Sequence, residues 1–151
     1  KTTKALEHRL ENFFLKKNTL FVNDSKGTNV ESTVKAIEAF KNKVVLIAGG
    51  ENKKICNDEL IKKINERVGF VYLIGETGTI LAEEMDKVGY KKYKNLGTLE
   101  KVLLDIRENI DFEDGQTILF SPATASFDQF KNFEERGRIF KELTNKILGE
   151  K

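Results

Sequence analysis

An uninterrupted apolar segment, Lys43-Val44-Val45-Leu46-Ile47-Ala48-Gly49-Gly50, dominates the hydrophobic pattern of the 151-residue chain. A short apolar run that is rich in β-branched residues and does not alternate with polar ones is typical of a strand covered on both faces. Phe70-Val71-Tyr72-Leu73-Ile74 and Thr117-Ile118-Leu119-Phe120 have the same character. Because such strands occur mainly in parallel sheets, the three segments predict a sheet that is buried between helices.

Amphipathic helices are predicted between these strands, since apolar residues recur there at spacings of three and four. The first predicted helix covers residues 30–40, and the second runs from a cap at Asp58 through Ile64. The third covers residues 77–87, and the fourth runs from a cap at Thr98 to Ile106. The last has an apolar face formed by Phe130, Phe133, Phe140, Leu143 and Ile147. Right-handed crossovers then give an α/β fold, a Rossmann-like open and mostly parallel sheet with helices on both faces.

A short β-hairpin is predicted ahead of the parallel sheet. Residues 12–16 and 19–22 are β-rich runs that meet at Lys17-Asn18, as the two strands of a hairpin do. Residues 91–94 predict a short edge strand. No internal repeat or linker interrupts this pattern, so residues 1–151 are expected to form a single domain.

Composition excludes several classes of protein. The 26 basic and 24 acidic residues leave a net charge of +2, which does not give the basic surface typical of nucleic-acid binding. The longest apolar runs are far short of the ~20 residues that a membrane span requires. One cysteine, Cys56, and one histidine, His8, make a structural zinc site improbable. We therefore expect no nucleic-acid partner, no membrane partner and no metal ligand in this chain.

Polar, glycine-containing segments follow four predicted strands, at residues 24–29, 49–54, 75–78 and 121–128. Open α/β sheets bind ligands at the carboxyl ends of their strands. The four segments therefore predict a ligand site along one edge of the sheet, although residues 75–78 also fit the ordinary turn between a strand and a helix.

Two of these segments carry lysines suited to anions. Lys26, beside two hydroxyl residues at a helix start, fits an anion site, whereas local sequence alone favours a capped turn with an exposed lysine, because such turns are common. Lys53 or Lys54 can hold a carboxylate or a phosphate as a point charge, or belong to a solvated surface turn. The chain contains neither G-x-x-x-x-G-K-[ST] nor G-x-G-x-x-G, so it lacks the usual phosphate loops. A Ser-His-Asp hydrolase site is also excluded, because His8 is the single histidine and no G-x-S-x-G occurs.

Four motifs occur in one order along the chain. They are Leu6-Glu7-His8-Arg9-Leu10-Glu11, then Asn23-Asp24-Ser25-Lys26-Gly27-Thr28-Asn29, then Gly49-Gly50-Glu51-Asn52-Lys53, and then Ser121 to Phe133 followed by Glu134-Glu135-Arg136-Gly137. This order resembles the C-terminal domain of the Mur ligases, and within that family the branch that adds D-glutamate. Thr124 departs from the pattern, where a smaller or thiol side chain is expected.

The resemblance implies a cytoplasmic three-domain enzyme of peptidoglycan synthesis. Such an enzyme joins D-glutamate to UDP-N-acetylmuramoyl-L-alanine with ATP and Mg²⁺. Its first domain binds the UDP-sugar, and its central domain holds the phosphate loop, the magnesium ligands and a modified lysine. We therefore expect this chain to be the excised third domain, to carry no catalytic residue of its own and to be inactive in isolation.

The resemblance also implies two sets of binding residues. ATP is expected to meet Arg9, Asp24 and Lys26, with Asp24 accepting from ribose hydroxyls and the two cations facing ribose and phosphate. D-Glutamate is expected to be held by Thr28, Lys53, Ser126 and the backbone around Phe127 and Phe133. Because these residues have to reach a nucleotide on a neighbouring domain, domain closure is implied.

A stand-alone nucleotide- or anion-binding module of Rossmann-like fold, which regulates a partner, is the alternative. It depends only on the glycine-containing loops at the strand ends. Binding of a nucleotide to the isolated chain discriminates the two hypotheses, since a shared site binds weakly without the other domains.

Overall fold

The structure, a computed structural model, describes residues 7–50, 57–124 and 130–149. The described part of the chain folds into six strands and five helices. In chain order these are β1 Glu11–Lys16, β2 Thr19–Asn23, α1 Val30–Glu38, β3 Lys43–Gly50, α2 Asp58–Arg67, β4 Val68–Ile74, α3 Gly75–Lys87, β5 Tyr93–Gly97, α4 Leu99–Asn109, β6 Gln116–Phe120 and α5 Phe133–Leu148.

The six strands form one sheet in the order β1-β2-β6-β3-β4-β5. Only β1 and β2 pair antiparallel, and all other neighbours are parallel. The predicted fold, an open and mostly parallel sheet preceded by a short hairpin, is therefore confirmed. Lys17, in the hairpin turn, has φ 54°, a left-handed conformation that occurs mainly in turns.

The core lies on both faces of the sheet, because consecutive residues of a strand point to opposite sides. Val44, Leu46 and Ala48 of β3 pack in one cluster with residues of α1, α2 and α3. Val45 and Ile47 pack in the other with residues of α4 and α5. This two-sided burial explains why the segment contains no polar residue between Lys43 and its glycines, since each buried aliphatic side chain contributes about 1.5–3 kcal/mol.

Several element boundaries differ from those that the sequence predicts. Helix α3 begins at Gly75 rather than near residue 77, so residues 75–78 form its first turn and not a loop. Asp58 is the first residue of α2 and not its cap, a position that Asn57 holds. At the first helical position, the Asp58 carboxylate interacts favourably with the positive end of the helix dipole. Helix α1 ends at Glu38, and β5 starts at Tyr93 and extends to Gly97.

Helix α5 begins later than its aromatic pattern suggests. The Asn132 side chain accepts a hydrogen bond from the Glu135 amide at 2.8 Å and caps the helix, as asparagine does at many helix starts. Phe130 therefore precedes the helix, although it still packs against the second core cluster.

Among the residues that the structure describes, no helix combines the length and the hydrophobicity needed to cross a membrane.

Candidate functional site at the carboxyl ends of β2, β6 and β3

Three neighbouring parallel strands end at the same edge of the sheet. Strands β2 and β3 both pair in parallel with β6, so the segments that follow them lie side by side. The Ala123 amide donates to the Gly27 carbonyl at 2.9 Å, and the Gly49 amide donates to the Pro122 carbonyl at 2.9 Å. These bonds join residues 24–29, 49–50 and 121–124 into one continuous surface, which we call the strand-end rim.

The rim carries a small depression of about 150 Å³, which Arg9, Asp24 and Lys26 line together with Ser32 and Lys35. The structure thus brings together the three residues that were expected to meet ATP, although Arg9 comes from a different segment than Asp24 and Lys26. Lys35, which the sequence did not indicate, adds a third cation from the last turn of α1. A concentration of cations beside a helix start suits phosphate oxygens.

Asp24 is almost fully buried and organises the rim. One carboxylate oxygen accepts from the Leu10 amide at 3.0 Å, and the other accepts from the Ser121 hydroxyl at 2.7 Å. Burial raises the pKa of Asp24 above its ordinary value, and the hydrogen bonds from Ser121 and Leu10 oppose this shift. Because a carboxylate offers about four lone-pair positions, Asp24 can connect the start of β1 to the loop after β6 and still accept another donor.

Gly27 allows the loops after β2 and β6 to approach closely. A Cβ atom at this position would lie 2.5 Å from the Ser121 hydroxyl oxygen and 2.8 Å from an oxygen of Asp24. The same hydroxyl contacts the Thr33 hydroxyl of α1 at 2.9 Å. Asp24, Ser121 and Thr33 therefore form one buried polar network beneath the depression.

Arg9 is presented by a tightly constrained backbone. His8 and Leu10, on either side of it, have φ 69° and 46°, in the left-handed region that non-glycine residues rarely adopt. The His8 carbonyl accepts from the Lys26 amide at 2.9 Å, and the Leu10 amide is bound by Asp24. These two contacts offset the backbone strain, which is of the order of 1–3 kcal/mol per residue.

A larger cavity of about 660 Å³ adjoins Lys26 on its other side, and Phe133, at the start of α5, lines it as well. The Lys26 ammonium nitrogen lies 4.8 Å from the centroid of the Phe133 ring, a favourable cation–π contact. Lys26 therefore lines both cavities, and the ring of Phe133 holds its side chain between them.

The residues expected to bind D-glutamate are described only in part. Thr28 is exposed in the loop between β2 and α1, and Phe133 is half-buried at the start of α5. Lys53, Ser126 and Phe127 lie outside the described residues, as does Lys54. Their grouping around D-glutamate therefore stays a prediction.

Arg136, in α5, contacts the strand-end rim and was not among the predicted site residues. It is fully buried in α5, and its guanidinium group donates to the Ser25 hydroxyl, the Ser25 carbonyl and the Thr124 carbonyl at 3.0, 2.7 and 3.0 Å. A signal for it does exist in the sequence. Arg136 is spaced three residues from Phe133 and four from Phe140, which places a charge on the apolar face of a predicted helix.

Glu7, His8 and Glu11 form the one cluster in the described part of the chain whose spacing would suit a metal ion, with ligand atoms within 4.8 Å of one another. The Lys141 ammonium supplies the positive charge that these carboxylates require, because it donates to Glu7 at 2.8 Å and to both oxygens of Glu11. Hydrogen bonding to Lys141 lowers the pKa of Glu7. Burial alone would raise the pKa of Glu11, but hydrogen bonds from His8, Lys141 and Asn23 outweigh it, and the net pKa is lowered. The cluster is an ion-pair network that connects β1 to α5.

The fold and the rim define an open α/β domain that presents cations at the carboxyl ends of its strands. The sequence matches the family described as Mur ligase, glutamate ligase domain, over residues 8–124. The chain therefore belongs to the Mur ligase family, and the resemblance inferred from its motifs is confirmed.

Curated relatives agree with this assignment. The chain is 46% identical over 146 residues to the UDP-N-acetylmuramoylalanine–D-glutamate ligase of Fusobacterium nucleatum, covering 95% of this chain and 34% of that protein. It is 39% identical over 150 residues to the ligase of the same name from Caldicellulosiruptor bescii, covering 98% of this chain and 32% of that protein. The chain thus spans about a third of the length of these relatives.

Solved structures support the fold alone. The MurF ligase of Thermotoga maritima in complex with ADP aligns with a TM-score of 0.58 at 18% identity, over 96% of this chain and 33% of that one. The bifunctional folylpolyglutamate synthase/dihydrofolate synthase of Yersinia pestis aligns with a TM-score of 0.62 at 16% identity, over 92% of this chain and 31% of that one.

Proposed function

We propose that this chain is the third of three domains of a UDP-N-acetylmuramoylalanine–D-glutamate ligase, in which it binds D-glutamate and faces ATP. The observation that carries the proposal is the small depression. Arg9, Asp24 and Lys26, expected from the family resemblance to meet ATP, line it together in a chain that is 46% identical to a ligase of that name.

In the proposed reaction, ATP phosphorylates the carboxylate of UDP-N-acetylmuramoyl-L-alanine, and the amine of D-glutamate then displaces phosphate from the acyl phosphate to form an amide. All the reactants are anionic and have to be aligned, and such alignment can supply about 7–11 kcal/mol of the barrier. The role that we assign to this chain is therefore to bind and orient, and the chain need not supply an acid, a base or a nucleophile.

The cations of the depression support ATP as its ligand. Arg9 and Lys26 would contact ribose and phosphate oxygens, and Lys35 stands beside them. A lone pair of Asp24 that its two protein donors leave available would accept from a ribose hydroxyl.

The residues that line the depression do not fit Mg²⁺. Magnesium needs several oxygen ligands, but Asp24 is the one carboxylate in the lining, and Arg9, Lys26 and Lys35 beside it would repel a divalent cation. We therefore assign the magnesium ligands, and the phosphate loop that this chain lacks, to the central domain. The reaction belongs in the cytoplasm, where ATP is available.

D-Glutamate carries two carboxylates, which require cationic and hydroxyl donors at a fixed separation. We assign this role to Thr28, Lys53, Ser126 and the backbone around Phe127 and Phe133. The assignment of Phe133 is supported by its position in the first turn of α5, where backbone amides lack intrahelical partners.

Substitution of Lys53 in the full-length ligase tests the proposal. Loss of one charge-assisted hydrogen bond costs about 1.5–3 kcal/mol, so Lys53→Ala should lower kcat/KM for D-glutamate by about 10- to 150-fold. The measurement is phosphate release that depends on both D-glutamate and UDP-N-acetylmuramoyl-L-alanine.

Lys62→Ala, an exposed lysine of α2, serves as the matched control and should behave as the unmodified enzyme does. Unchanged kinetics in Lys53→Ala would remove Lys53 from the site. Absence of D-glutamate-dependent phosphate release from the unmodified ligase would refute the function itself.

A further inference from the structure

Arg136 is a buried charged residue that is assigned to neither ATP nor D-glutamate in the proposed function. Removing a guanidinium group from water costs several kcal/mol unless its hydrogen bonds are replaced within the protein. Here the group is fully buried, and its Cζ lies 5.9 Å from the centroid of the Phe120 ring at the end of β6. An aliphatic residue would fill this interior position at a smaller electrostatic cost, so the position of the charge requires a reason.

The guanidinium group bridges two segments of the rim. Its Nε and one terminal nitrogen bind the hydroxyl and the carbonyl of Ser25, and its other terminal nitrogen binds the carbonyl of Thr124. The Ser25 hydroxyl in turn donates to the Phe133 carbonyl at 2.8 Å. The rigid planar fork of arginine therefore fixes the loop after β2, the loop after β6 and the start of α5 relative to one another.

Both bridged residues stand next to residues with a proposed ligand. Ser25 directly precedes Lys26, which we assign to ATP, and Thr124 lies two positions before Ser126, which we assign to D-glutamate. We propose that Arg136 is a positioning residue that sets the distance from Lys26, on the loop after β2, to the residues assigned to D-glutamate on the loop after β6 and at the start of α5. This inference rests on the proposed function, and Arg136 itself need touch neither ligand.

Such a role predicts a specific kinetic effect. If the two loops bind their ligands but present them at a wrong separation, affinity is kept while alignment of the amine with the acyl phosphate is lost. A displacement of 1 Å can reduce the rate about 10²-fold. Loss of Arg136 should therefore lower kcat strongly and change the KM values for ATP and D-glutamate little.

The test compares Arg136→Ala and Arg136→Lys in the full-length ligase. We expect kcat to fall about 10-fold or more in both variants, because lysine restores the charge but not the fork, with each KM within about threefold of its original value. Added guanidinium at millimolar concentration should restore part of kcat in Arg136→Ala. Arg107→Met, an exposed arginine of α4 that pairs with Glu108, is the control and should keep full activity.

Circular dichroism identifies which variants are folded. Should the Arg136 variants fail to fold, Ser25→Ala removes one partner of the guanidinium group, and a lower kcat at unchanged KM there supports the proposal, whereas an unchanged kcat overturns it. Unchanged kcat in folded Arg136→Ala, or a loss confined to KM without recovery in guanidinium, also overturns it. An unmodified ligase without D-glutamate-dependent activity would refute the proposed function and this assignment with it, whereas an active ligase with an active Arg136→Ala refutes the assignment alone.

Discussion

Gly27 shows how closely the side chains of the rim are packed. Its missing Cβ leaves room for Asp24 and Ser121, whose hydrogen bond of 2.7 Å passes beside it. The loop that carries Lys26 and Thr28 thus depends on the absence of one methyl group.

Gly27→Ala should lower the free energy of unfolding by about 1–3 kcal/mol, since an added methyl group in a closely packed site forces its neighbours apart. Urea denaturation of the 151-residue chain measures this. Gly115→Ala is the matched control, because a Cβ there meets no atom within 4 Å, and it should change stability by less than about 0.5 kcal/mol. Equal stability of the two variants would contradict the close packing described at Gly27.

The site residues also show what sequence reasoning can reach. Asp24 and Lys26 follow a predicted strand, so the rule for ligands at strand ends applies to them. Arg9 precedes a strand instead, and only the resemblance to the Mur ligases indicated it. Arg136 was not predicted as a site residue, because its partner Ser25 lies 111 residues earlier in the chain and local sequence does not specify that contact. The charge on an apolar helix face was the one available signal.

At the scale of elements, the central strands were predictable, as was the cap of α4 at Thr98, whereas the starts of α3 and α5 were not. Strand β3 is defined by its own residues, since a continuous aliphatic run needs no information from elsewhere in the chain. The start of α3 depends on Gly75, which adopts φ 69°, and the start of α5 depends on Asn132 rather than on other capping residues nearby. Such choices between adjacent residues are made by tertiary packing, which local sequence does not specify.

The contact between β1 and α5 depends on pH. The pKa values of Glu7 and Glu11 are lowered in the folded protein, so the stabilisation from their contacts with Lys141 is present above the ordinary carboxyl pKa and is lost as pH falls through the lowered values. Lys141→Met should therefore reduce the free energy of unfolding at neutral pH, and the difference from the unmodified chain should shrink in acid.

Urea denaturation at neutral pH and near pH 3 measures this change. Lys146→Met, which alters an exposed lysine of the same helix, should show no such dependence. A deficit for Lys141→Met that is as large in acid as at neutral pH would assign the effect to packing of its aliphatic stem instead of to charge.

At the scale of the whole molecule, the proposed function makes the rim one side of a site that another surface would complete. The small depression offers cations but no phosphate loop, and its volume of about 150 Å³ is below the 300–1,000 Å³ that is usual for ligand pockets. A nucleotide bound here alone would keep much of its surface in water. The isolated chain should therefore recognise ATP only weakly.

Titration calorimetry of the 151-residue chain with ATP should give a Kd weaker than about 1 mM. Arg9→Met serves as the reference that identifies any heat arising at the depression. A low micromolar Kd that Arg9→Met abolishes would favour the alternative, a stand-alone nucleotide-binding module.

The antiparallel hairpin has a consequence for this edge of the sheet. Strand β1 runs antiparallel to β2, its one neighbour, so Arg9, which lies two residues before β1, arrives near the carboxyl end of β2. The position of Arg9 is therefore set by the Lys17-Asn18 turn at the opposite end of the hairpin. Inserting one residue in that turn would slide β1 by about 3.4 Å and exchange its two faces. On the proposed function, Arg9 would then be withdrawn from the ATP phosphates without any change in the rim, so the length of a turn at the far end of the hairpin would determine whether this proposed contact forms.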